Sequence, residues 1–231
     1  MAAPPPEKSA PGARPRGEQT RQLIVDTALQ LFQDVGYERT TMRAIAAAAG
    51  VSVGNAYYYF ESKDHLVQAF YDRSQVEHEA AARSVLDTET GFEERLRGVL
   101  LARVDTMRPY KEFAGSFFKT AADPGSPLSP FSDESAPARA AATALYAEAL
   151  HGSGTKVAPG LRGQLPELLW LYSMGIVLFW VHDRSRDVAR TYLLVERTVP
   201  IVVRLVALSR YRILRGVVDD VVRLIADLRA P

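Results

Sequence analysis

The chain has 231 residues, 47% of them hydrophobic and 24% charged, which is enough apolar material for one generous core or two modest ones. A formal net charge of +1 argues neither for nor against nucleic acid, so only a local arrangement of residues can decide that point. The absence of cysteine excludes disulfide frameworks, thiolate metal sites and cysteine nucleophiles, and is compatible with a reducing compartment.

Residues 1–17 carry Pro4, Pro5, Pro6, Pro11 and Pro15 and read as a flexible tail, whose Arg14 and Arg16 either stay solvated or enter a DNA minor groove as an arm. From Glu18 the apolar pairs Leu23/Ile24, Thr27/Ala28 and Leu31/Phe32, then Val35, recur at helical spacing until Gly36 stops them. Thr40 or Thr41 caps a second helix over 42–49, and Gly50 permits a sharp turn. Ser52 caps a third helix that ends at Phe60, and a long fourth runs from Lys63 to about Leu86. Further helices are expected over 92–107, 111–121, 138–150, 165–183, 188–208 and 213–228, punctuated by Pro109, the proline-rich loop 123–137 and the glycines between His151 and Gly160. Pro200 should kink its helix or mark a break in it.

No period-two alternation appears, so the expected fold is all-α: an N-terminal three-helix unit over 18–66, joined by helix four, reaching about 87, to a helical bundle over 67–231. The most apolar run, 168–181, reads as a deeply buried helix too short to span a membrane, in a cytoplasmic protein with no membrane partner.

Helix two, a glycine turn and a short helix three, with helix one behind, form a helix-turn-helix unit. At about 100° per residue, Ala56 and Phe60 of the third helix point inward, whereas Gly54, Asn55, Tyr58 and Tyr59 point outward and Tyr57 flanks them. A major groove suits such a surface. Asn55 pairs with an adenine edge, tyrosines pack on thymine methyls or donate to phosphates, and Gly54 lets the backbone come close. Lys63 at the start of helix four favours a phosphate, and Arg43 on helix two reaches a guanine or a phosphate.

The run TTMRAIAAAAGVSVGNAYYYFESKDHL, Thr40 to Leu66, resembles the DNA-binding region of TetR-family transcriptional regulators: a Thr pair, I-A-x-x-A-G-V-S, x-G-x-x-Y-x-Y-F and x-S-K-x-x-L. The resemblance implies phosphate contacts from Thr41, Tyr58 and Lys63 and base contacts from Arg43, Val53, Asn55 and Tyr57. Val53 departs from the family, where a lysine or another polar residue is frequent, and Ala56 replaces a larger aliphatic.

A single short reading helix with few cations binds weakly, so a homodimer reading two half-sites about 34 Å apart is expected. The apolar helices near 165–183 and 188–208 are the candidates for pairing, and the resemblance implies a four-helix bundle between copies. The aromatics Tyr110, Phe113, Phe117, Phe118, Tyr146 and Trp170, with Met174 and Gly175 among them, read either as solid core or as the lining of a pocket for a small apolar effector. The chain is thus expected to be an effector-released repressor of a palindromic DNA operator. A DNA-binding protein with a filled core, answering to a protein partner or to nothing, is the alternative. An enzyme is the remote one, since neither H-E-x-x-H nor G-x-x-x-x-G-K-[ST] occurs. The four histidines, at 65, 78, 151 and 182, lack ligand spacing, so no metal and no cofactor is expected.

Overall fold

The computed structural model describes residues 16–211 with 216, 219, 220, 223 and 227, but not the side chains of 113, 116, 117, 119 and 120. The expected helix over 213–228 and most of the proline-rich tail therefore lie outside the described residues. No strand occurs among those described. The chain separates into two compact units, residues 1–67 and 68–231.

In the first unit α1 (Arg16–Asp34) begins two residues earlier than expected and buries Ile24, Val25, Ala28, Leu29 and Phe32. Leu23 and Val35 are exposed, so its inner face is turned by about one residue from the one drawn through the apolar pairs. Thr41, rather than Thr40, caps α2 (Met42–Ala48), its Oγ1 accepting from Ala44 N at 3.1 Å. Thr40 is buried and donates to the Gly36 carbonyl at 2.8 Å. The α2 helix ends on Gly50 at φ +67°, with Val51 N bonded to Ala46 O and Gly50 N to Ala47 O. That pair of bonds is a Schellman closure, which needs a left-handed residue at this place. Ser52 Oγ then accepts from Asn55 N at 3.1 Å and starts α3 (Val53–Tyr59). Only one side of α3 is anchored: Ala56 and the following Phe60 are buried, and α3 packs on α2 as α2 packs on α1.

The helix α4 (Lys63–Thr88) runs unbroken from the first unit into the second. There α5 (Phe92–Met107) is central, packed against α7 (Ala136–His151), α9 (Leu165–His182) and α10 (Ala189–Leu208), while α6 (Lys111–Ala121) and the short α8 (Pro159–Arg162) lie against α9. The shared core includes Leu96, Leu100, Leu145, Leu169 and Trp180. Between α6 and α7 the long proline-rich connection is pinned: Leu128 is fully buried, its carbonyl accepts from Tyr71 at 2.9 Å, and Arg139 reaches the Pro130 carbonyl at 2.7 Å. Pro200 does not break α10, which continues through it.

The α9 helix departs from its expected reading. It has 18 residues, long and apolar enough by length and composition to cross a membrane, and only 39% of it is buried. It is therefore neither too short nor covered on all sides: Leu171, Leu178 and Phe179 face outward.

Candidate functional site

On the first unit the residues singled out for DNA gather around α3. Asn55, Gly54, Thr41 and Arg43 are exposed, Val53 sits at the exposed edge, and Tyr58 is 81% exposed and Tyr57 50%. A Cβ added at Gly54 would meet nothing within 4 Å, so the glycine leaves an open approach to the backbone. The Thr41 hydroxyl accepts its cap bond and keeps its proton for an outside acceptor.

Two placements differ from the helical wheel. Tyr59 is half-buried, not outward: its ring meets Tyr58 edge-on at 5.1 Å, and its hydroxyl lies near Gly17 at the start of α1. Tyr57 takes the outward place instead. Lys63 does not project freely, since its Nζ donates to the Tyr37 carbonyl at 2.8 Å and lies 4.4 Å from the centre of the Tyr37 ring. One of its three N–H groups is thereby committed, leaving two to meet a phosphate. The Tyr37 hydroxyl bonds the Asp64 carboxylate, and burial followed by that carboxylate pushes the phenol's pKa well up.

Residues 50–54, Gly-Val-Ser-Val-Gly, also spell G-x-S-x-G. A nucleophile elbow requires a strand before the serine. Here a helix precedes it and Ser52 Oγ is the cap of α3, so the pattern marks a turn.

The second unit exposes large apolar side chains on two helices: Leu171, Leu178 and Phe179 on α9, and Leu193, Ile201, Leu205 and Leu208 on α10. Gly175 lies in the α9 stripe, exposed, with nothing within 4 Å of an added Cβ, so it belongs to this outer face and not to an inner lining.

The expected lining residues are spread over several contacts. Tyr110 meets Phe70 with ring centres 4.7 Å apart, Phe118 meets His182 at 5.6 Å, and Trp170 meets Phe131 at 5.3 Å. Met174 packs partly buried on the core and Tyr146 is fully buried. The side chains of Phe113 and Phe117 lie outside the described residues.

Residues 24–70 match the family of bacterial regulatory proteins named for tetR, and residues 95–224 match the tetracyclin repressor-like C-terminal domain. The chain belongs to the TetR family. Within that family it is 38% identical over 96 residues to the A-factor receptor protein of Streptomyces griseus, covering 39% of this chain and 35% of that protein. It is 29% identical over 98 residues to the repressor KstR2 of Mycolicibacterium smegmatis, covering 42% and 48%. The matched stretch spans about a third of the length of the first curated relatives. Solved structures share the fold more widely. A TetR regulator from Nitrosomonas europaea aligns with a TM-score of 0.62 at 19% identity, over 79% of this chain and 97% of that one. The SmeT–triclosan complex aligns at 0.60 and 18%, over 78% and 90%. The FadR of Thermus thermophilus in complex with lauroyl-CoA aligns at 0.53 and 22%, over 78% and 92%.

In this TetR-family chain the interior of the second unit holds a polar group that sequence reasoning missed. Arg103 of α5 donates to Gln75 Oε1 of α4 at 2.5 Å, beside His78 of α4 and Tyr146 of α7. His78 is 0% exposed and hydrogen-bonds the Val99 carbonyl through Nε2 at 2.9 Å, which makes Nε2 the protonated nitrogen. Burial, then the nearby Arg103 guanidinium, pull the His78 pKa down to about 3 against the raising effect of that bond, so the ring is neutral. The available signal was Gln75 and His78, three apart on an otherwise apolar helix face, but nothing in the sequence paired them with Arg103.

Proposed function

We propose that the chain is an effector-responsive transcriptional repressor that binds a palindromic DNA operator as a homodimer and leaves it when a small, largely apolar molecule enters the second unit. The observation that carries this reading is the uncovered side of α3, where an amide and two phenols stand together, exposed and outside the core. Asn55 reads an adenine edge, Tyr57 and Val53 touch neighbouring bases, and Arg43 reaches a guanine or a backbone oxygen. Thr41, Tyr58 and the two uncommitted N–H groups of Lys63 hold phosphates.

The exposed stripes of α9 and α10 support pairing with a second copy. An apolar patch of this kind is unfavourable in water and suits a two-fold interface, which places two reading helices about 34 Å apart, one DNA turn. The complexes of the two fold relatives, with triclosan and with lauroyl-CoA, support an effector for this chain as well. The α4 helix carries Lys63 in its first turn and His78 farther along, so an effector that shifts it in the second unit acts on the first through one continuous helix. A hundredfold loss of operator affinity needs about 2.7 kcal/mol of such coupling. The repressor acts where its operator lies, in the cytoplasm.

Selection of bound sequences from a random DNA pool tests the reading: a palindrome with half-sites one turn apart is expected. Asn55→Ala then relaxes a single base position by about 1–3 kcal/mol, whereas Lys63→Ala weakens all sequences alike. Recovery of no enriched sequence would refute it.

A further inference from the structure

Arg103 is surrounded by protein deeply enough that desolvation lowers its pKa, yet part of its surface stays accessible. Its guanidinium has five N–H donors, and its one side-chain bond among the described residues goes to Gln75 Oε1. No ion pair among the described residues involves it. Several acids on the surrounding helices are engaged elsewhere: Glu93 and Glu196 on Arg97, Glu148 on Arg83, Asp105 on Tyr192, and Asp183 on Ser185 and Thr191. His78 is neutral and supplies no countercharge.

The groups around Arg103 are also short of partners. Gln75 Nε2, the Tyr146 hydroxyl and His78 Nδ1 are buried without a hydrogen bond, in residues that are 6%, 1% and 0% exposed. The Tyr146 hydroxyl is close to Ser173 and Arg103; the Ser173 proton is directed to the Trp170 carbonyl at 2.6 Å, which leaves Ser173 Oγ as an acceptor beside the phenol. Protonation at Nε2 leaves His78 Nδ1 as an acceptor, whereas the amide, the phenol and the remaining guanidinium N–H groups are donors. Donors outnumber acceptors around one uncompensated positive charge, and buried polar groups left this way are costly.

We infer that Arg103, Gln75 and Tyr146 form a receptor for the carboxylate head of the effector, whose apolar body lies along the core beyond it. This rests on the effector-responsive reading above and replaces a wholly apolar effector by an amphipathic monocarboxylic acid. One guanidinium matches one negative charge, and its fork geometry accepts a carboxylate through two parallel bonds. A phosphate monoester would bring up to a second charge that nothing here neutralises. Met107, one turn away from Arg103 on α5, is apolar and only partly buried, and suits a hydrocarbon body.

The test is titration calorimetry of the full chain with octanoate, dodecanoate and 4-phenylbutyrate, each paired with its methyl ester. At least one acid is expected to bind ~10-fold or more tightly than its ester. Arg103→Met should abolish that preference by weakening the acid far more than the ester, and Gln75→Leu and Tyr146→Phe should each reduce it. Melting curves check that the variants fold, and the latter two keep the test open if Arg103→Met does not. Equal affinity for acids and esters, a preference that survives in all three variants, or no acid binding at all would overturn the assignment. The two readings fail separately in operator-release assays on the selected palindrome. An ester that binds as well as its acid and releases DNA sinks only the carboxylate site. An acid held through Arg103 that leaves DNA binding unchanged sinks only the effector role.

Discussion

Two arginines stand eight residues apart on α5, about 12 Å along its axis, and the fold treats them in opposite ways. Arg95, 5% exposed, donates to four carbonyls, those of Leu86, Glu89, Glu148 and Ala149. These belong to the last turns of α4 and α7 and the residue just beyond α4, where carbonyls run short of intrahelical partners and carry partial negative charge, although Glu148 O also accepts from Gly152 N at 2.9 Å. Arg95 is thus a cation placed where two helix dipoles converge, and its charge is compensated by the protein itself. Arg103, at the other end of the same helix, has one side-chain oxygen and three orphaned neighbours. A buried cation that the fold satisfies serves architecture, whereas one left short points to a partner from outside.

The largest expected effect breaks that comparison if it fails. Arg95→Leu should lose roughly 3 kcal/mol or more of stability in urea denaturation, because four carbonyls, two of them in fully buried bonds, lose the same donor together. Arg103→Met should lose less than about 1 kcal/mol or gain stability, since removing an uncompensated buried charge relieves a cost. Equal losses would show that both arginines are structural.

Acidification sharpens the Arg103 side. The His78 pKa is about 3 in the folded chain and about 6.5 when unfolded, so between those values the unfolded state binds the extra proton. Its contribution to stability is complete above about pH 6.5 and is lost as pH falls toward 3, with a slope of up to about 1.4 kcal/mol per pH unit. The Arg103 guanidinium facing the ring adds to the loss. Denaturation midpoints at pH 7 and pH 4.5 should therefore lie closer together in His78→Asn than in the unaltered chain.

The smallest effect belongs to Gly152. Its φ of −69° is ordinary, so an alanine there would usually stabilise by restricting the unfolded chain. An added Cβ, however, would lie 2.3 Å from Arg95 Nη2 and 3.1 Å from the Glu148 carbonyl. Because four bonds hold that guanidinium, it cannot swing aside, and Gly152→Ala should cost about 1–2 kcal/mol by thermal or urea melts.

The shape of the helix-turn-helix was largely legible in the sequence because its determinants are local. Caps at Thr41 and Ser52, the left-handed Gly50 and a three-four apolar spacing lie within a few residues of one another, and they orient α3 before any distant contact forms. Where that reading slipped, a longer-range contact was responsible. Tyr59 turned inward toward the start of α1, and Lys63 bonded the Tyr37 carbonyl across the unit. In the second unit the aromatics were visible but their grouping was not. Phe118 met His182 and Trp170 met Phe131, partners that no spacing along one helix prescribes.

The sequence by itself determined an all-helical chain with a helix-turn-helix at its N-terminal end, because helical period, capping chemistry and glycine turns act between residues only a few positions apart. Tertiary structure alone decided which polar side chains share the interior of the second unit. Gln75, Arg103, Tyr146 and Ser173 come from four different helices, and each, taken by itself, fits an amphipathic helix as well as a binding site. Only packing reveals which of them the protein leaves without a partner.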